Sequence, residues 1–239
     1  ADDVRPSPKA RRVVRITDRG RRTAAADVRE LLADAGVPAR SFVAGLAHAG
    51  LLPAHEVDAA LRTRLVGLDA RIDAVAAAVR RHPHRLVGMT MVDPTAPDAG
   101  ARVPRALGAD GLRCVCLFPA MHGYPLDHES VNQVFAYAAE AGAAVFIHCG
   151  VLTLGVRRKL GLATRVDIRL GDPLAIVPLA SRYPGVPVVI PHFGAGFLRE
   201  TLMAADLCPN VHLDTSSSNA WLRYLPGLTL ANVFRQTLE

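Results

Sequence analysis

The chain has 239 residues, half of them hydrophobic, and a formal net charge of +6. That is long enough for one domain with a substantial buried core of the α/β kind. No apolar run reaches the roughly 18 to 20 residues that would span a bilayer, and the first residues hold charges with no apolar h-region. The cytoplasm is therefore the default address. Cys114, Cys116, Cys149 and Cys208 are too few and too irregularly placed for a secreted disulfide framework, and no CxxC pair occurs, so they read as reduced thiols.

The positive charge is not spread over the chain. Residues 1–22 hold eight Arg and Lys against three Asp, which leaves a surplus of one for everything that follows. The sequence divides accordingly into a basic segment, 1–22, and a single barrel domain, 23–239. A nearly neutral body without a basic face interleaved with aromatics disfavours nucleic acid as a partner, although the segment could serve as a phosphate-binding arm.

In chain order, RRVVRI (11–16) reads as a first strand, followed by a helix around 24–35 that ends at Gly36. SFVAG (41–45) reads as a short second strand. Residues 54–81 carry Val57, Leu61, Leu65, Leu68, Ile72, Val75 and Val79 at spacings of three and four, which predicts a long amphipathic helix, or two, stopped by Pro83. Five further runs read as buried strands, each entering a loop: RLVGMTMVDP (85–94), GLRCVCLFP (111–119), AAVFIHCG (143–150), VPVVIPHFG (186–194) and NVHLDTS (210–216). Between the second and third of these, a helix is expected from an Asp127 N-cap to Gly142. Apolar strands alternating with helices predict βα units around a parallel sheet.

Two of those strands end on a histidine followed by a glycine turn, His148 in AAVFIHCG and His192 in VPVVIPHFGAG. In a barrel of alternating strands and helices, the C-terminal strand ends converge on one pocket, so both imidazoles would meet there. Strand-end histidines can also simply hydrogen-bond neighbouring loops. Asp214 ends a strand on the same face and could orient an imidazole or take a proton, and it could equally cap the turn that Thr215, Ser216 and Ser217 begin. His122 and Tyr124 occupy a loop on that side. His82 and His84 have ligand spacing but precede a strand, which puts them at the opposite end. Cys114 and Cys116, two apart on one strand, face the same way, cannot easily bridge, and read as small core residues, with a thiolate contribution to a metal site as the lesser alternative.

From about residue 82 to 235 the chain resembles the amidohydrolase-related (amidohydrolase 2) family of metal-dependent hydrolases and decarboxylases. The resemblance is carried by HPHRLVGMTMVDP, GADGLRCVCLFP, EAGAAVFIHCG, VPVVIPHFGAG and NVHLDTSSS in that order. It implies a (β/α)8 TIM-barrel-like fold, here with its first and last strands not identified. It also implies a small carboxylic acid, lactone or amide as substrate, with hydrolysis favoured over decarboxylation. His148 matches a metal ligand, and His192 matches a residue that is general base in some members and ligand in others. The implied cofactor is one divalent metal, zinc by preference. The family's His-x-His pair at strand one has no counterpart in RRVVRITDRG, and its strand-eight Asp has none before Glu239. Only Lys9 and Lys159 occur, so no bridging lysine lies in GLRCVCLFP and one metal at most is expected.

A zinc-bound water ionises near neutral pH, and an imidazole can accept its proton; that is the base role assigned to His192. Arg157 and Arg158, in the loop after AAVFIHCG, would favour an anionic substrate through bidentate hydrogen bonds, unless that loop is only solvated surface. The alternative function is a metal-free barrel of the same family that binds or scaffolds. Seven strands are counted where a barrel needs eight, so the polypeptide is expected to continue past Glu239, or else a homo-oligomer contact covers the sheet edge.

Overall fold

The computed structural model describes residues 16–152, 163–216 and 219–238, and the chain divides into two compact units between Arg71 and Ile72. RRVVRI lies outside the described residues except for Ile16.

In the first unit, α1 (Asp18–Ala33) begins where the Thr17 hydroxyl accepts the Gly20 N–H, and it ends at Asp34, close to the expected stop at Gly36. SFVAG is not a strand. It lies inside α2 (Ala39–Ala47), where Phe42 packs against a cluster built on Val28, Leu32, Leu52 and Ala60. A five-residue apolar run fits a strand and a buried helix equally well. Here Pro38 decides, because its carbonyl accepts the N–H groups of Ser41 and Phe42 and starts a helical turn. The long helix α3 spans Ala54–Arg81 as predicted and stops two residues before Pro83.

The second unit holds a five-stranded parallel sheet, β1 (Met89–Met91), β2 (Cys114–Leu117), β3 (Ala144–Ile147), β4 (Val188–Ile190) and β5 (Val211–Leu213), in spatial order 1-2-3-4-5. Each strand lies beside the one before it in sequence. Such stepwise parallel order, with helices in the crossovers, is the arrangement of a (β/α) barrel wall. The crossovers contain α4 (Ala99–Leu107), the one-turn α5 (Pro119–His122), α6 (Glu129–Ala141), α7 (Val177–Arg182) and α8 (Leu198–Leu207); α9 (Leu230–Leu238) follows β5.

Register sorts the two faces. Thr90, Val115, Val145, Val188 and Val211 lie side by side, and the four valines are at most 5% exposed. Their row packs against Val131, Val134, Phe135 and Ala138 of α6 in the main core cluster. The neighbouring row, Met91, Cys116, Phe146, Val189 and His212, points the other way. On that face β1 departs from the buried strand expected, because Met89 and Met91 are each 53% exposed.

α6 ends as expected at Gly142, in the left-handed region at φ 59°, but its N-cap is His128 and not Asp127: His128 Nδ1 accepts the Ser130 N–H at 3.2 Å. An imidazole one residue later takes the role assigned to the carboxylate.

One glycine holds the strand-end loops together. At Gly150 (φ 74°) an added Cβ would lie 2.1 Å from the Gly194 carbonyl oxygen, and the next residue, Val151, donates its N–H to Ala195 O at 2.9 Å. At Gly142 a Cβ would meet nothing. Gly142→Ala is therefore expected to cost about 1 to 2 kcal/mol, the left-handed penalty alone. Gly150→Ala is expected to cost more than about 3 kcal/mol, because steric overlap with backbone adds to that penalty. Denaturant midpoints of the two variants check the difference, and equal losses would refute the close-approach argument.

Candidate active site

β3 passes straight into His148, whose N–H extends the ladder to Leu117 O at 2.9 Å. β4 reaches His192 through Pro191. The two rings lie with centroids 5.5 Å apart and planes at 65°, an edge-to-face contact at the C-terminal edge of the sheet. The structure thus brings together the two histidines singled out by the sequence.

They differ in environment. His148 is 5% exposed and stacks on Phe118, with centroids 5.4 Å apart and planes at 19°. Its Nδ1 is buried without a hydrogen-bond partner. Burial, and then the neighbouring His192, hold the His148 pKa down to about 4, so this ring is neutral at physiological pH. His192 is only half-buried, and its Nδ1 lies 3.0 Å from both the carbonyl oxygen and the hydroxyl of Ser216. A carbonyl can only accept, so that contact selects the tautomer with hydrogen on Nδ1. Nε2 is then left with its lone pair.

The backbone that presents His192 is unusual. His192 (φ 59°), Phe193 (φ 52°), Gly194 (φ 77°), Ala195 (φ 43°) and Gly196 (φ 109°) are all in or near the left-handed region. Such conformations cost about 1 kcal/mol or more at each non-glycine residue. Phe193 offsets part of this: it is fully buried, edge-on to Phe234 at 5.3 Å and 6.3 Å from Trp221. Burying such a ring contributes about 2 to 3 kcal/mol.

Asp214 follows β5, and its side chain accepts the Ser216 N–H in a short hydrogen bond. Its backbone is tied once to β4, Asp214 N to Ile190 O at 2.9 Å, and once to the turn after it, Phe193 N to Asp214 O at 3.1 Å. The turn-capping geometry foreseen for Asp214 is present, and through Ser216 it reaches His192. Neither Ser216 nor Phe118 was singled out by the sequence reading. A signal existed for Ser216, since Asp two residues before a serine favours this turn. Phe118 carried no such signal: it falls beside His148 only through the register that pairs Leu117 with Ile147.

Around Phe118 the ring contacts continue to His122 (6.4 Å) and from His122 to Tyr124 (6.3 Å). His122 Nδ1 and the Tyr124 hydroxyl are both buried without a hydrogen-bond partner. Burial first, then the charge of nearby Asp93, raise the Tyr124 pKa above the usual phenol value, so it remains a donor. Buried polar atoms without partners are uncommon, and here three of them belong to rings in one connected series beside the strand ends.

Other expected residues stand apart. His82 and His84 are exposed in the turn before β1. Arg157 and Arg158 lie outside the described residues. Arg169, further along the same connection, is paired with Asp167 through contacts of 2.9 and 2.7 Å. Among the described residues no three of His, Cys, Asp or Glu come together as a metal-holding group. His148 and His192 offer two nitrogens, short of the three or four protein ligands a zinc site takes.

A search of curated proteins found no match. Among solved structures, the chain is similar to an uncharacterised TIM-barrel protein from Bordetella bronchiseptica, at 21% identity and a TM-score of 0.51, covering 69% of this chain and 53% of that one. It also matches a 5-carboxyvanillate decarboxylase from Sphingomonas paucimobilis at 18% identity and a TM-score of 0.41, covering 69% of this chain and 63% of that one. The chain therefore spans between half and two thirds of the length of these structures. The amidohydrolase family profile (Amidohydro_2) matches residues 43–239, the greater part of the chain and all five strands. With that match over a barrel wall of stepwise parallel strands, the chain belongs to the amidohydrolase family of TIM-barrel proteins.

Proposed function

We propose that this protein is an enzyme of hydrolase type, acting on a small carboxylic acid, lactone or amide, with His192 as its general base. The observation that carries this reading is the Ser216 carbonyl 3.0 Å from His192 Nδ1, beside the neutral ring of His148. It leaves one imidazole nitrogen, Nε2, unprotonated at the strand-end mouth.

In this reading a water attacks the substrate carbonyl carbon as its proton passes to His192 Nε2. The same proton then goes to the leaving oxygen or nitrogen as that bond breaks. An imidazole can accept a proton and return it, as these two transfers require. His148 serves by staying neutral, because an imidazolium 5.5 Å away would oppose the positive charge that develops on His192. Asp214 holds the Ser216 turn, and so acts on the base through its hydrogen-bond partner. Arg157 and Arg158 are assigned to the carboxylate of an anionic substrate.

The family is generally metal-dependent, and a divalent ion of the zinc type supplies a water that ionises near pH 7 when bound. His148 and His192 would be its ligands in this chain, but two imidazoles do not complete the donor set, so each step above uses protein groups alone. Hydrolysis is favoured over decarboxylation because a water-activating base is the group most clearly formed.

The test is turnover of a panel of lactones, amides and aromatic carboxylates, with and without added zinc. His192→Gln is expected to lower kcat by about 10²- to 10⁴-fold with little change in KM, the range for loss of a general base. Asp214→Ala is expected to lower it by a smaller factor. Wild-type kcat in His192→Gln would sink the assignment, and ligand binding without turnover would favour the scaffolding alternative.

The neutral state of His148 gives a separate check on metal-free protein. Because the folded pKa lies below the unfolded value of about 6.5, protons bind the unfolded chain first between pH 6.5 and 4. Stability is thus fully present above pH 6.5 and is lost as the pH falls toward 4. Allowing for residual solvent contact, the loss is about 2 kcal/mol. NMR should show the His148 ring unprotonated at pH 5.5, and a ring titrating near 6.5 would contradict the environment described.

A further inference from the structure

Four sulfurs share the inner face of the first two strands. Parallel pairing sets Met89 beside Cys114 and Met91 beside Cys116, and residues two apart on a strand point to the same side. MTM and CVC therefore lay out a rectangle of two thioethers and two thiols. On the far side of the thiols the paired residues are Ala144 and Phe146, which offer no competing donor. Both thiols are free and nearly buried, Cys114 at 5% and Cys116 at 8% exposure, whereas both methionines are 53% exposed.

We propose that Met89, Met91, Cys114 and Cys116 form a binding site for a soft monovalent metal ion, Cu(I) in particular. The spacing argues for a bridging ion against a disulfide. Cα atoms two apart on a strand are separated by about 6.6 Å, whereas a disulfide needs sulfurs about 2.05 Å apart. Metal–thiolate bonds of about 2.3 Å would separate two sulfurs by about 4.6 Å when the ion lies between them, which short side chains pointing to the same side can supply. Thiolates with thioethers are the donor set that selects Cu(I), and long, unbranched methionines adapt to such a site from the neighbouring strand. Binding Cu(I) would release the two thiol protons and form two copper–thiolate bonds, with the thioethers adding neutral donor bonds and no change of oxidation state.

The experiment is anaerobic titration of the reduced, metal-free chain with Cu(I) in competition with bicinchoninate, followed by X-ray absorption of the loaded protein. One Cu(I) per chain is expected, with a first shell of three to four sulfurs and no nitrogen. Cys114→Ser or Cys116→Ser should weaken binding at least 100-fold. The pair Met89→Leu with Met91→Leu, which nearly conserves side-chain volume, should weaken it about tenfold and lower the sulfur count. Failure to compete with bicinchoninate overturns the site, as does a nitrogen shell, which would place the ion at His148 and His192. Should either serine variant fail to fold, the methionine pair decides: unchanged affinity and sulfur count there reject the four-sulfur site.

Discussion

The arrangement at the mouth of the sheet depends on how closely two loops approach. Gly150, two residues after His148, lies against the carbonyl oxygens of Gly194 and Ala195, two and three residues after His192. No side chain could occupy that space. The loops are further joined by Val151 N to Ala195 O, and Gly150 N itself donates to Gly171 O at 3.0 Å. The separation between the histidine rings is thus set by backbone contacts below them. A pair placed by backbone keeps its geometry more firmly than one placed by long side chains, which lose rotamer freedom on ordering.

That constraint explains the left-handed run from His192 to Gly196. A strand continuing past Ile190 would alternate its side chains across the sheet. The turn instead sends Phe193 into the cluster with Trp221 and Val233, while His192 meets Ser216 and His148. Two demands, burial of one ring and presentation of the other, fall on adjacent residues, and a left-handed turn meets both. Strain concentrated in the segment that carries the candidate base is the pattern of a site maintained by the packing around it.

The elements that could be read from sequence were those in which a single physical signal dominated. Residues 54–81 show apolar spacing of three and four along their whole length, and the five strands are apolar runs bounded by turn residues, so α3 and β1 to β5 appear where expected. SFVAG failed because its five residues carry no period, and the helix was determined by Pro38 outside the run. The exposure of β1 was not readable, because an apolar strand looks the same whether or not another element covers its face. At the site, His148 and His192 were visible from position alone, since any strand-end histidine in such a sheet faces the mouth. Ser216 meets His192 through both its backbone carbonyl and its hydroxyl, and only its place two residues after Asp214 marked it in the sequence. Phe118 needed the register between β2 and β3, which a single sequence does not contain.

The chemistry of the inner face changes along the strands. Along β1 to β4 it carries sulfur and hydrocarbon, with Met89, Met91, Cys114, Cys116, Ala144, Phe146 and Val189 on that side, and His212 stands on it in β5. At the strand ends it turns to imidazole, phenol and carboxylate within a few residues: Asp93, His122, Tyr124, His148, His192 and Asp214. A polarisable apolar floor beneath the polar groups accounts for the behaviour of His148. Stacked on Phe118 and shielded from water, its charged form loses hydration that no neighbouring carboxylate replaces, and the neutral ring prevails. His192 is less buried and is hydrogen-bonded at Nδ1. Two residues of one type, with ring centroids 5.5 Å apart, thus sit in different surroundings.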